Sequence, residues 1–280
     1  MIRRYSAPLC AVILGAVCAV FEWLSRTRGL SLALLGGALA VSLLALAALA
    51  RTYEIHEKWR FEDYFAGDDS ILKLFSVLGG LLLALGGAGT LVGAVLESMA
   101  LRSDPLEQAL GGFSPLSVLP YIALALLAVA SAYSCVALAR AQARGEIEEK
   151  TAGLTLFPLI WAVLDLIIVF KNNNTNPYTR YYLADLLCGA ALTLAFLFYC
   201  RFLYGKIMPR RFLFLAGAGV VLALTAAGGG ALSVLLPGGR NMLSATDLMR
   251  LISALGAAVY LLGQMVRMCA PRKQVYYWQE

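Results

Sequence analysis

Apolar residues run along this chain in eight long, nearly unbroken blocks, with polar residues gathered between them. The blocks cover about residues 7–24, 31–50, 71–96, 117–139, 153–170, 183–204, 212–236 and 247–267. Each is long enough to cross roughly 30 Å of hydrocarbon as an α-helix. None shows the alternation of apolar and polar positions that a strand of a membrane β-barrel needs. The pattern predicts an all-α, polytopic integral membrane bundle, with residues 1–280 forming a single transmembrane domain. An even number of crossings puts both termini on one side.

Composition supports the pattern and removes the competing classes. The chain is 60% hydrophobic and only 14% charged, whereas a soluble domain is about a quarter charged. A soluble globule cannot wet its surface with so few polar groups, which excludes a soluble enzyme and a disordered chain. A disulfide-rich module is excluded too. The six cysteines, Cys10, Cys18, Cys135, Cys188, Cys200 and Cys269, fall in or beside apolar blocks with no Cys-x-x-Cys spacing, so they read as small core residues. The start, Met1-Ile2-Arg3-Arg4 before an apolar run, resembles the first half of a signal peptide. No small-x-small cleavage site follows, so residues 7–24 are expected to stay as the first span.

Charge orients the bundle. The net charge is +6, which in a membrane protein fits basic residues collecting beside anionic lipid; no nucleic-acid motif is present. With eight spans, Arg26, Arg28, Arg102, Lys171, Arg180, Arg240 and Arg250 fall on the side away from the termini. The other 16 of the 23 Lys and Arg residues lie on the terminal side. That bias predicts both termini in the cytoplasm and a multi-pass protein of the cell (cytoplasmic) membrane. The inside connection 51–70 mixes charge with Tyr53, Ile55, Trp59, Phe61, Tyr64 and Phe65, a composition suited to a helix lying at the inner headgroup layer or extending the second span, with a partner-binding arm as the functional alternative. The outside loop 171–182 is rich in Asn and Tyr. Its Asn173-Asn174-Thr175 triplet lies too near the bilayer to be expected as a glycosylation site.

Small residues punctuate the spans at Gly36-Gly37, Gly79-Gly80, Gly86-Gly87, Gly89, Gly93, Gly217, Gly219, Gly228 to Gly230, Gly256 and Gly263. Tight helix packing is the expected reason, with Gly86, Gly89 and Gly93 turned to a neighbouring helix.

Ionisable groups inside hydrocarbon are costly, so they mark where to look. Asp165 is the clearest, and helical spacing stacks Pro158, Trp161, Asp165, Ile168 and Asn172 on one face. Arg250, about a turn into the eighth span, is its best-placed cation. Asp165 should therefore pair with Arg250 as a structural clamp, or stay in a polar pocket with Trp161 and Asn172 as a cation or proton site. Glu22, Glu97, Asp185 and Asp247 belong to the same leaflet. For Asp185 and Asp247 the helix dipole is explanation enough. Tyr199, Arg201, Tyr204 and Gln264 are expected at the inner interface, with Arg201 snorkelling.

Catalytic signatures are absent. No His-Glu-x-x-His, Gly-x-Ser-x-Gly or Walker-type loop occurs, and His56 is the single histidine. No catalytic residue, metal site or cofactor is expected. The expected function is non-enzymatic (sensing, ligand binding or assembly), with an outward-facing polar site at Asp165, Trp161, Asn172 and Arg250. The alternative is a secondary transporter of a small solute, and an intramembrane enzyme stands third. The expected partners are the lipid bilayer and another membrane protein or a second copy of this chain. No nucleic acid is expected, and the small-molecule ligand is unknown.

Overall fold

The computed structural model describes residues 6–53, 64–65, 70–103, 118–145, 149–174, 182–236 and 243–269. Of these, 91% are helical and none is in a strand. Among the described residues, eight helices are long and apolar enough to cross a membrane. They are α1 (Ser6–Arg28), α2 (Leu32–Arg51), α3 (Ser70–Ser103), α4 (Leu119–Arg144), α5 (Leu156–Asn173), α6 (Leu183–Leu203), α7 (Pro209–Leu235) and α8 (Ala245–Cys269). A helical turn, Glu149–Gly153, leads into α5. The protein is thus a multi-pass membrane bundle, as the eight apolar blocks predict. We call the side holding the ends of α2, α4, α6 and α8 the terminal side, and the other the far side.

Six helices pack in sequence, each on the next: α3, α4, α5, α6, α7 and α8, with α8 returning to α3. The first helix lies against α7, and α2 packs on α1 and α7. Burial follows from this order. Helix α7 is hemmed in by four others and is 72% buried, while α2 covers one flank and is 22% buried.

Glycine explains the closest of these seams. Helices α3 and α8 run antiparallel in one register: Gly93 faces Thr246, Gly89 faces Met249, Gly86 faces Ser253, Gly79 faces Gly256 and Tyr260, and Phe75 faces Gly263. Gly79, Gly86 and Gly93 are seven residues apart, as are Gly256 and Gly263, so each heptad returns a missing side chain to the same line. A β-carbon at Gly79 would lie 2.7 Å from Gly256 O and 2.9 Å from Tyr260 N. One at Gly86 would run into the backbone nitrogen and Oγ of Ser253. Backbone cannot step aside, so only glycine permits this approach. Lipid tails are as apolar as the helices, and such van der Waals contact is what draws helices together there. The expectation for Gly86, Gly89 and Gly93 holds. For Gly36 and Gly37 tight packing fails. Nothing lies within 4 Å of where their β-carbons would be, because α2 is an outer helix that buries Leu35 and Leu39 and turns these two positions away from its neighbours.

The connection 51–70 also differs from expectation where it is described. Tyr64 and Phe65 are buried at 1% and 0% exposure. Both rings pack edge-on against Phe202, with centroids 5.3 and 5.4 Å away, and Phe65 also meets Tyr199 and Phe212. Packing among the aromatic rings at the ends of α6 and α7 offers a ring more contact than the headgroup layer does. Ile55, Trp59, Phe61 and His56 lie outside the described residues, as does most of the loop 171–182.

Candidate functional site, an ion cluster on the far side

Four helices bring charge together just inside the far side. Asp165 projects from α5, Asp185 from the first turn of α6, Arg250 from α8, and Glu22 with Arg26 from the last turns of α1. Arg250 is the hub. Its Nη1 donates to Asp165 Oδ2 at 3.3 Å and to Oδ1 at 3.5 Å, while its Nη2 donates to Asp185 Oδ2 at 3.1 Å. Its Nε lies 3.8 Å from Asp247 Oδ1 one turn earlier. A guanidinium suits this place because its rigid fork presents several N–H groups in one plane.

The second arginine extends the chain of charges. Arg26 Nε donates to Glu22 Oε1 at 2.6 Å, and its Nη2 reaches Asp185 Oδ1 at 3.5 Å. Asp185 therefore bridges two guanidiniums, and a continuous path of ion pairs runs Glu22, Arg26, Asp185, Arg250, Asp165. Water is kept out: Glu22, Asp165, Asp185 and Arg250 are 0%, 2%, 5% and 3% exposed. Low dielectric strengthens each attraction, and it also makes any unpaired charge expensive.

The rim is more ordinary. Ser244 Oγ caps the start of α8, accepting from Asp247 N and donating to Asp247 Oδ2, both at 3.1 Å. Glu97 Oε1 accepts from Thr246 N at 3.2 Å, satisfying a free amide at that helix end. Asn172 is exposed and donates to Tyr121 Oη at 2.8 Å.

Of the four residues singled out by sequence, Asp165 and Arg250 meet as a direct pair. Trp161 is fully buried one turn from Asp165, and its Nε1 has no hydrogen-bond partner. Asn172 departs from expectation: it turns to Tyr121, since it lies past the buried part of α5 where the helix emerges. For Asp185 the helix dipole is not explanation enough, because the residue is buried between Arg26 and Arg250. Sequence reasoning missed Arg26 as a partner. The signal was the i, i+4 spacing of Glu22 and Arg26, a helical ion pair at the far end of the first apolar block. Among the described residues no group of three His, Cys, Asp or Glu side chains is arranged to hold a metal ion.

A second polar layer sits toward the terminal side, and it is neutral. Gln142 of α4 and Gln264 of α8 exchange amide hydrogen bonds of 3.0 and 3.2 Å. Gln142 Nε2 also donates to Tyr199 Oη at 3.0 Å, which accepts from Tyr260 Oη at 3.1 Å. All four side chains are fully buried. The interfacial reading of Tyr199 and Gln264 is therefore wrong, because Phe65 and Phe212 cover Tyr199. Tyr204 is exposed, and Arg201 lies over the Phe198 ring at 5.2 Å, where its charge can reach past the helix end. Between the layers the buried residues of α6 and α8 are mostly apolar, among them Leu192, Ala195, Phe196, Ala254 and Leu261, and the buried Ser253 hydroxyl donates to Leu83 O at 3.4 Å.

Comparison with protein families, with curated proteins and with solved structures finds no match to this chain.

Proposed function

We propose that this protein is a non-enzymatic multi-pass component of the cytoplasmic membrane that works by binding, with both termini in the cytoplasm and the ion cluster facing outward. The observation that carries the reading is the cluster itself. One unbroken set of ion pairs holds α1, α5, α6 and α8 at a single level, so any event that changes its charge acts on four spans at once. The charge bias of 16 basic residues on the terminal side supports the orientation. Outside lies the thinner side of the cluster, where Asp247 keeps 38% of its side chain exposed.

A second reading, a carrier of a small solute, is favoured by one feature. The charged and neutral layers both tie α6 to α8, and each could open while the other stays shut. The two readings differ in whether water enters. Cys188, one turn along α6 from Asp185 and 2% exposed, reports on this directly. With the other five cysteines replaced, Cys188 should resist a membrane-impermeant thiol reagent in both right-side-out and inverted vesicles. Rapid labelling from either side would mean a water-filled cavity at the cluster, and the carrier reading would replace ours.

A further inference from the structure

Within the cluster one oxygen is left over. Both oxygens of Asp165 face Arg250, and the two oxygens of Asp185 face Arg250 and Arg26. Asp247 is held by Ser244 and reaches solvent. Glu22 differs. Its Oε1 accepts from Arg26, but its Oε2 is buried and has no hydrogen-bond partner. Arg26 serves one of the two oxygens, with its Nη2 turned to Asp185.

The charges point the same way. Among the described residues, Glu22, Asp185, Asp165 and Asp247 face two guanidiniums, those of Arg26 and Arg250. Four ionised carboxylates would leave two negative charges in excess, one of them on an oxygen with no donor. A buried anion in that position needs a positive charge from outside the protein. Among the described residues no three-carboxylate or thiolate group stands ready for a metal ion, so the smallest cation fits best.

The geometry points to Glu22 Oε2 as the binding site of one exchangeable proton, taken up from the aqueous phase of the far side. This rests on the reading of the cluster as the responsive element. The groups facing Glu22 are few. On its own helix there is Arg26, and from α6 there is Asp185. From α7, Gly229 lies against Glu22, and its missing side chain leaves room for Glu22 Cβ and Cγ. From α8, Arg250 and Asp247 act on Glu22 only through Asp185. With the proton bound, Arg26 is free to hold Asp185 and so dock α1 to α6. With the proton released, a full charge on Glu22 draws Arg26 away from Asp185. Proton release should thus loosen α1 from α6 without breaking the Asp165–Arg250 pair.

Infrared difference spectroscopy of the full chain in nanodiscs tests this. At neutral pH the protein should show the C=O stretch of a protonated carboxyl, and the band should shift when glutamate alone carries ¹³C. It should vanish in Glu22→Gln and disappear on alkaline titration. If Glu22→Gln does not fold, the isotope shift in a Glu97→Gln background keeps the test open, because the label separates glutamate from Asp165 and Asp185 and the background removes the other described far-side glutamate. A band that ignores the glutamate label would put the proton on an aspartate and overturn the proposal. Absence of any such band, with a spectrum that answers to Na⁺ replacing choline, would mean an alkali cation and overturn it too. Neither result depends on Cys188 labelling, which tests the broader reading.

Discussion

The two polar layers join the same pair of helices and do so in opposite ways. Asp185 and Tyr199 are fourteen residues apart on α6, and Arg250 and Gln264 are fourteen apart on α8, so the layers stand about 21 Å apart along the helix axes. The far-side layer is ionic, the terminal-side layer is built of amides and phenols. Each is sealed from water, but the consequences of damage differ. In the neutral layer a lost partner leaves a dipole unsatisfied. In the ionic layer a lost partner leaves a charge. The ionic layer also recruits α1 and α5, whereas the neutral one adds α4, so only the first ties the outer helix α1 to the six-helix set.

The sharpest way to break the comparison is at Arg250. Arg250→Met keeps much of the volume but removes the cation shared by Asp165 and Asp185, and stripping one member from a buried ion pair costs about 3–5 kcal/mol. We expect a loss of that size in equilibrium unfolding in detergent. Asp165→Asn should cost less, because Arg250 keeps Asp185. Equal losses for the two variants would mean that the ionic layer acts as one pair and not as a network.

Much of this contrast is legible in the sequence, and the part that is not has a physical reason. An ionised side chain in an apolar block is an outlier whatever surrounds it, so the positions of Asp165 and Arg250 along their spans are enough to match them. The glycine seam is legible for a similar reason: only close backbone approach rewards Gly86, Gly89 and Gly93 in a helix. Gln142, Tyr199 and Gln264 give no such signal. Each lies within a few residues of a helix end, where amphipathic side chains ordinarily meet headgroups. What buries Tyr199 is covering by Phe65 and Phe212, residues distant in sequence, and local pattern cannot show that. Asn172 is the converse case. Its helical face is right, but the helix leaves the bundle before reaching it.

A smaller effect is expected from the neutral layer. Gln142→Leu removes both amide hydrogen bonds to Gln264 and the one to Tyr199. Buried polar contacts between membrane helices are worth only about 0.6 kcal/mol each on average, because unfolded helices in the membrane find other partners. The loss should therefore be about 1–2 kcal/mol, clearly below that of Arg250→Met in the same assay. A larger loss from Gln142→Leu would reverse the ranking of the layers and make the neutral network the main tie between α8 and its neighbours.

The smallest expected effect is that of salt, and it sharpens the comparison most directly. Screening needs mobile ions near the charges, and at 1 M the screening length falls to roughly 3 Å. Ion pairs open to solution lose most of their attraction under those conditions. Asp165, Asp185 and Arg250 are almost wholly enclosed, so ions cannot come between them. The part of the stability difference between the unaltered chain and Arg250→Met that comes from Asp165 and Asp185 should then stay constant from low to high salt, as flat as the difference for Gln142→Leu. Only the Arg250–Asp247 contact, half open at 3.8 Å, should respond, and surface pairs of that kind contribute about 0–1 kcal/mol. If the Arg250 difference shrinks strongly as salt rises, water and ions reach the cluster. The two layers would then differ in hydration as well as in charge, and the far-side layer would be the mouth of a path instead of a clamp.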